Sequence, residues 1–153
     1  MAQAVKGVSS KSIGEFSNST IDDDGIITIE SPFNFALALE RISNAIAAQD
    51  GTVSFGIVDF KQQAAALGED LLPNTLLLFG APEPGVKAMQ KAPTLGLDAF
   101  CQKFLVWQGS AGKVRLSFND LLALAEHQGV SKSIPLRVIN FRLNKVFSEA
   151  LEQ

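Results

Sequence analysis

Two short runs of strand-forming residues, joined by a loop that contains glycine, place the strongest constraint on how this chain folds. Residues 103–108 (KFLVWQ) and 114–118 (VRLSF) flank the loop at 109–113, and the second run alternates apolar with polar side chains. This pattern is typical of a β-hairpin, whose two strands are antiparallel neighbours. The sheet that contains them therefore cannot be entirely parallel.

Further strands and helices are predicted on both sides of this hairpin. A helix follows Ser31-Pro32, which is predicted to cap it, because apolar residues then recur three or four positions apart up to residue 50. The other predicted strands are at residues 26–30, 53–57 and 75–79, and the other helices are at 61–67, 86–92, 121–127 and 135–151. This order predicts a single α/β domain of the two-layer α+β kind, with a mixed, mainly antiparallel sheet packed against helices.

The chain divides by composition into three parts. Residues 1–25 are rich in serine, glycine and aspartate, so they are predicted to form a flexible N-terminal arm, with a short strand near residues 7–9. Residues 26–130 contain the alternating strands and helices and are predicted to be the two-layer domain. Residues 131–153 are predicted to form a C-terminal amphipathic helix extension.

Composition and charge restrict the classes of function. Among 153 residues there is one cysteine, Cys101, and one histidine, His127, so an internal disulfide is impossible and a Cys/His zinc site lacks ligands. We expect no metal and no cofactor. A net charge of −3 argues against nucleic acid as a partner. No apolar run has the length of a signal peptide or a membrane span, so we expect a cytoplasmic protein without a membrane partner.

The segment from Gly80 to Lys87 (GAPEPGVK) follows a buried strand and approximates a phosphate-binding loop. Lys87 lies one residue later than the lysine of a phosphate-binding loop, and Ala88 supplies no hydroxyl group for magnesium. Pro82 and Pro84 lack the backbone N–H groups that such a loop points at phosphate. We therefore predict a turn-rich loop here without nucleotide binding.

Four polar residues lie at the ends of apolar elements, where α/β layers leave crevices. They are Asp59, Lys103, Asn119 and His127. Each has a structural interpretation: Asp59 and Asn119 as helix caps, Lys103 as an edge-strand residue, and His127 as a cation near a helix C-terminus. Asp120 is the alternative to Asn119 as the cap of the helix that follows. Because charged groups rarely lie beside such apolar strands without a partner, we predict that the four line one ligand-binding site.

A family resemblance is densest in residues 73–107 and 112–130. The first segment begins with a strand and loop, and the matching positions there are Pro73, Thr75, Leu76, Leu77, Leu78, Phe79, Gly80, Pro82 and Gly85. Later matching positions are Met89, Pro93, Leu97, Asp98, Lys103, Asn119, His127 and Gly129. On these residues, about residues 28–130 resemble the bacterial and archaeal family called domain of unknown function 302 (DUF302). The resemblance implies a compact α/β layer that packs as a homodimer, and it implies no activity.

Several positions depart from the family pattern by losing polar groups. An Asp-His pair of the family is Asp59-Phe60 here, and a family tyrosine is Phe118. An Asn-Pro is Ala81-Pro82 and a Gly-Thr is Gly85-Val86. These losses of imidazole, hydroxyl and amide groups favour binding over catalysis.

Three functions remain open from the sequence. The first is a dimeric module that binds a small ligand or a partner without catalysis, through the four polar residues. The alternative is a small enzyme in which His127 is the general acid-base, Asp59 orients it and Lys103 stabilises anionic charge. In the third, Asp59 and Lys103 form an internal ion pair and the protein acts through its dimer surface. A nucleophilic pair of Cys101 and His127 also stays open.

Overall fold

The computed structural model describes residues 16, 18–98, 100–129 and 134–153. Its strands form one sheet in the order β1-β2-β6-β5-β4-β3, in which all neighbours are antiparallel. The strands are β1 (Ser19–Ile21), β2 (Ile26–Ser31), β3 (Val53–Asp59), β4 (Asn74–Gly80), β5 (Gln102–Gln108) and β6 (Val114–Asn119). The helices are α1 (Phe35–Ala47), α2 (Phe60–Ala66), α3 (Pro82–Met89), α4 (Leu121–His127) and α5 (Ile134–Ala150), with a 3-10 turn at Pro93–Gly96. The predicted α+β fold with a mainly antiparallel sheet is confirmed.

The strand register places the buried apolar side chains on one face of the sheet. Cross-strand partners point to the same side, so the pairs Leu77 with Phe104 and Val106 with Leu116 build one continuous apolar surface. Helix α5 contacts both α1 and α4 and covers this face. The core therefore lies between the sheet and these three helices.

Four phenylalanines form the centre of this core. The ring of Phe104 stacks on Phe118 with centroids 4.3 Å apart, and it meets the edges of Phe79 and Phe147 at 4.8 and 4.5 Å. Phe104 and Phe147 are fully buried. Three strands and α5 are thus joined through one aromatic cluster.

Two helices begin at positions that differ from the predictions. Asn34, rather than Ser31, caps α1, since its side chain accepts a hydrogen bond from the Leu37 N–H. Helix α3 begins at Pro82, inside the segment predicted as a turn-rich loop. Prolines are tolerated in the first turn of a helix because the N–H groups there have no partner within the helix.

The first strand of the sheet, β1, lies within residues 18–25. Strand β1 pairs with β2, and the Asp22 carboxylate closes the turn between them by accepting from the N–H groups of Asp24 and Ile26. The sequence analysis did not predict this strand, because three residues are too few for the alternation of apolar and polar side chains to be recognised. The strand predicted near residues 7–9 lies outside the described residues.

Candidate functional site

The structure separates two of the four predicted site residues, Asp59 and Lys103. Asp59 ends β3 opposite Thr75 near the start of β4, whereas Lys103 is the second residue of β5 and lies opposite Leu78 near the end of β4. They lie at opposite ends of the antiparallel strands. The Asp59 carboxylate caps α2 by accepting from the Gln62 N–H over 3.0 Å, which matches its structural interpretation.

Lys103 is held by the segment that leads into β5. Its Nζ donates to the Leu97 carbonyl oxygen over 3.0 Å and to Asp98 Oδ1 over 3.3 Å, with a longer contact to the Cys101 carbonyl oxygen. The ion-pair partner of Lys103 is therefore Asp98 and not Asp59. These contacts secure the chain between the 3-10 turn and β5.

Asn119 and His127 do lie together, at a different place. Both line an open depression beside Gly25, between the end of β6 and helix α4. The side chains of both residues are exposed, and the helix cap at this point is Asp120 rather than Asn119. The structure thus brings together two of the four residues, without Asp59 or Lys103.

A deeper cavity lies where β4 ends and α3 begins, and we name it the end cavity. Its volume is about 240 Å³, and its apolar lining is Phe79, Phe100, Ile139 and Leu143. The loop between α1 and β3 forms one wall and α5 forms another. The end cavity is open to solvent on one side and closed by the aromatic core on the other.

Two glycines allow Phe100 to form a wall of the end cavity. A Cβ atom on Gly80 would lie 2.5 Å from the Phe100 carbonyl oxygen and 2.9 Å from the Phe55 ring. A Cβ atom on Gly85 would lie 3.2 Å from the Phe100 Cβ. The absence of a side chain at these positions therefore sets the shape of the end cavity.

Charged and polar side chains form the rim of the end cavity. Glu83 is paired with Lys87, whose Nζ lies 3.1 Å from its carboxylate. Asp50 and Arg142 also line the end cavity, and among the described residues neither has a hydrogen bond or an ion pair from its side chain. Gln49 and Thr52 add neutral polar groups. The rim thus carries one unpaired carboxylate and one unpaired guanidinium group.

A second depression, the edge groove, runs between α1 and β3. It has a volume of about 360 Å³, includes Ile57, Leu77 and Ser54, and shares Thr52 and Phe79 with the end cavity. It exists because the helical layer covers β4 but stops short of β3. The core-facing side chain of Ile57 is consequently 66% exposed.

The described residues contain neither a cluster of metal ligands nor a membrane-spanning helix. No group of at least three His, Cys, Asp or Glu side chains among them is placed to hold a metal ion. None of the helices in the described part of the chain is long and apolar enough to cross a membrane.

Residues 27–150 match the family described as "Domain of unknown function DUF302". The chain belongs to the DUF302 family. The resemblance noted in the sequence is thereby confirmed, and the match continues through α5. Within this DUF302 chain the end cavity takes its floor from β4, the strand in which the family resemblance is densest.

Curated relatives of this DUF302 chain carry the name of an ion channel. "Fluoride-specific ion channel FluC 1" of Brucella suis is 34% identical over 123 residues, which cover 79% of this chain and 48% of the relative. The protein of the same name from Brucella abortus is also 34% identical, with 45% of its length covered. The chain thus spans about half the length of these relatives.

A solved structure supports the fold of this DUF302 chain. It is the crystal structure of an uncharacterized conserved DUF302 protein from Bacillus stearothermophilus, with a TM-score of 0.66 and 16% sequence identity. The likeness covers 83% of this chain and 95% of the other. At this identity the comparison establishes the shared fold.

Proposed function

We propose that this chain is a dimeric binding module without catalysis, and that a small molecule binds in the end cavity. The observation that carries this proposal is an apolar floor beneath a charged rim in a cavity of about 240 Å³. Small-molecule sites combine an apolar lining with a few polar groups that orient the ligand. This assignment moves the site from the four residues predicted from the sequence to the junction of β4 and α3.

The absence of catalysis is supported by which side chains line the end cavity. Cys101 and His127 are the only thiol and the only imidazole in the chain, and neither is part of the lining. The enzyme alternative needs Asp59 and Lys103 beside His127. Asp59 instead caps α2, and Lys103 contacts Asp98. The groups that remain at the end cavity are suited to holding a ligand.

The lengths of the curated relatives also support a binding module. The Brucella proteins named fluoride-specific ion channels have about half of their length outside the match. In those relatives a segment similar to this chain is therefore joined to a further part. We propose that the chain acts in the same way, as a unit that binds a ligand and serves a partner.

Native mass spectrometry of the purified protein tests ligand binding. We expect a bound small molecule that is lost in Ala81→Phe, because Ala81 lines the end cavity and a phenyl ring there fills it. Ala111→Phe is the matched control, since Ala111 is exposed in the turn between β5 and β6. The proposal is contradicted if both variants carry the ligand equally. It is also contradicted if neither the parent protein nor either variant binds a small molecule from a metabolite extract.

Dimer formation is supported by the edge of the sheet at β3. This strand has seven residues and contains neither lysine nor proline, the residues that commonly protect an exposed edge. Val53, Phe55 and Ile57 on it are large apolar side chains that are exposed. A second copy that pairs through β3 would cover them and close the edge groove.

A further inference from the structure

Two charges of opposite sign, which have no partner among the described residues, line the end cavity from different walls. Asp50 lies in the loop after α1, and Arg142 lies on α5. Both side chains are exposed, and no ion pair joins Arg142 to a carboxylate in the described part of the chain. The end cavity therefore presents a hydrogen-bond acceptor with negative charge and a five-donor guanidinium group with positive charge.

The third charge on the rim, the Glu83 carboxylate, already has an ion-pair partner. Glu83 is paired with Lys87 one turn further along α3. The charge pattern that a ligand meets is therefore one carboxylate and one guanidinium group, and it is not a general acidic or basic surface.

We propose that the end cavity takes a small zwitterion, which carries an ammonium and a carboxylate group on an apolar body, the chemistry of apolar α-amino acids. This inference rests on the proposed ligand-binding function and names the class of the ligand. Arg142 binds the carboxylate through charge-assisted hydrogen bonds, and Asp50 binds the ammonium group. The apolar body lies on Phe79, Phe100, Ile139 and Leu143.

Ligands with a single charge fit this rim less well. A simple carboxylate would satisfy Arg142 but bring a second negative charge towards Asp50, and a simple amine would leave Arg142 without a partner. In each case the ligand makes only one of the two charge-assisted contacts that the rim offers. A zwitterion compensates both charges at once.

The volume of the end cavity agrees with this class. Water occupies about 30 Å³ per molecule in the liquid, so 240 Å³ corresponds to about eight water-sized groups. This is close to the number of nonhydrogen atoms in leucine.

Isothermal titration calorimetry with four probes tests the class of ligand. The probes are L-leucine, L-phenylalanine, isocaproate, which lacks the ammonium group of leucine, and isoamylamine, which lacks the carboxylate. We expect at least one of the two amino acids to bind, and both singly charged compounds to bind about tenfold more weakly or worse. Equal affinity for isocaproate and leucine overturns the proposal.

Charge-removing variants locate the two contacts. Arg142→Gln and Asp50→Asn should each weaken binding of the amino acid about tenfold, because each removes one charge-assisted contact. The controls are Lys145→Gln, on the exposed side of α5, and Asp70→Asn, in the exposed segment between α2 and β4. These should leave affinity within about twofold. Unchanged affinity in Arg142→Gln or Asp50→Asn overturns the proposal.

The outcomes separate this inference from the proposed function. If native mass spectrometry shows a ligand that Ala81→Phe removes, but the amino acids do not bind, then the end cavity is a binding site and the zwitterion assignment is wrong. If Ala81→Phe also leaves ligand content unchanged, the proposed function itself is wrong. Thermal unfolding of each variant establishes that the exposed substitutions leave the protein folded.

Discussion

The Asn140 side chain joins α5 to Asp120, the cap of α4, through a buried hydrogen bond. Its Nδ2 donates to Asp120 Oδ1 over 2.7 Å, while its Oδ1 accepts from the Leu121 backbone N–H over 3.0 Å. The second carboxylate oxygen of Asp120 accepts from the Ala123 N–H. Both side chains are almost completely buried. This arrangement fixes the position of α5 along the sheet, and with it the wall of the end cavity.

Asn140→Leu should lower the free energy of unfolding by about 3 kcal/mol. The substitution keeps the approximate size of the side chain but removes the donor to the buried Asp120 carboxylate and the acceptor of the buried Leu121 N–H, which costs more than the lost hydrogen bonds alone. Asn44→Leu is the matched control, because Asn44 is exposed on α1. Urea denaturation measures both. Equal stability of the two variants would contradict the role given to Asn140.

The same helix shows what the sequence pattern could not predict. An amphipathic helix with apolar residues three or four positions apart would bury Val146 and Ala150, yet both are half-buried. The fully buried positions on that part of α5 include Asn144, Phe147 and Ser148. Two of the polar groups that enter the core here have partners: Asn144 Nδ2 donates to the Asn140 carbonyl oxygen, and the Ser148 hydroxyl bonds to that of Ser19. Asn144 Oδ1 has no hydrogen-bond partner among the described residues. The Ser19 hydroxyl comes from a segment that is distant in the sequence, so a pattern of apolar residues does not reveal this contact.

Phe147→Ala should cost about 4 kcal/mol of stability. Phe147 is fully buried and its ring contacts those of Phe79 and Phe104, so truncation leaves a cavity in the middle of the core. Phe141→Ala, on the exposed side of the same helix, should cost much less. Chemical denaturation of the two variants measures the difference. A loss below about 1 kcal/mol for Phe147→Ala would show that the aromatic cluster does not hold α5 on the sheet.

Gly80→Ala should destabilise the protein by about 2 kcal/mol and reduce ligand binding in the end cavity. The added Cβ atom would lie 2.5 Å from a backbone oxygen of Phe100, which cannot move without displacing the wall of the end cavity. In the control Gly109→Ala, the closest atom is the end of the flexible Arg115 side chain at 3.0 Å. Thermal unfolding and native mass spectrometry measure the two effects. A Gly80→Ala protein that keeps both stability and ligand would contradict this account of the end cavity.

The sequence predicted the positions of the strands and helices more accurately than the position of the candidate site. The strand 75–79 and the helix cap Asp59 could be predicted because both depend on neighbouring residues. Asp59 and Lys103 do not lie together, although we predicted that they would line one site. Whether they meet depends on which ends of the strands are neighbours in the sheet. In an antiparallel sheet, the end of β3 lies beside the start of β4 and far from the start of β5. The loop that lines the end cavity, from Gln49 to Thr52, carried no chemical motif.

Ile57→Lys should dissociate the proposed dimer. Ile57 is 66% exposed on the free edge strand, and a charged side chain there would be buried without a partner when a second copy pairs with β3. We expect the parent protein to sediment as a dimer and Ile57→Lys to raise the dimer dissociation constant at least about tenfold. Val138→Lys is the control, since Val138 is 59% exposed on α5, away from β3. Analytical ultracentrifugation at several concentrations distinguishes the outcomes. A dimer that persists in Ile57→Lys, or that Val138→Lys dissociates instead, would place the interface elsewhere than β3.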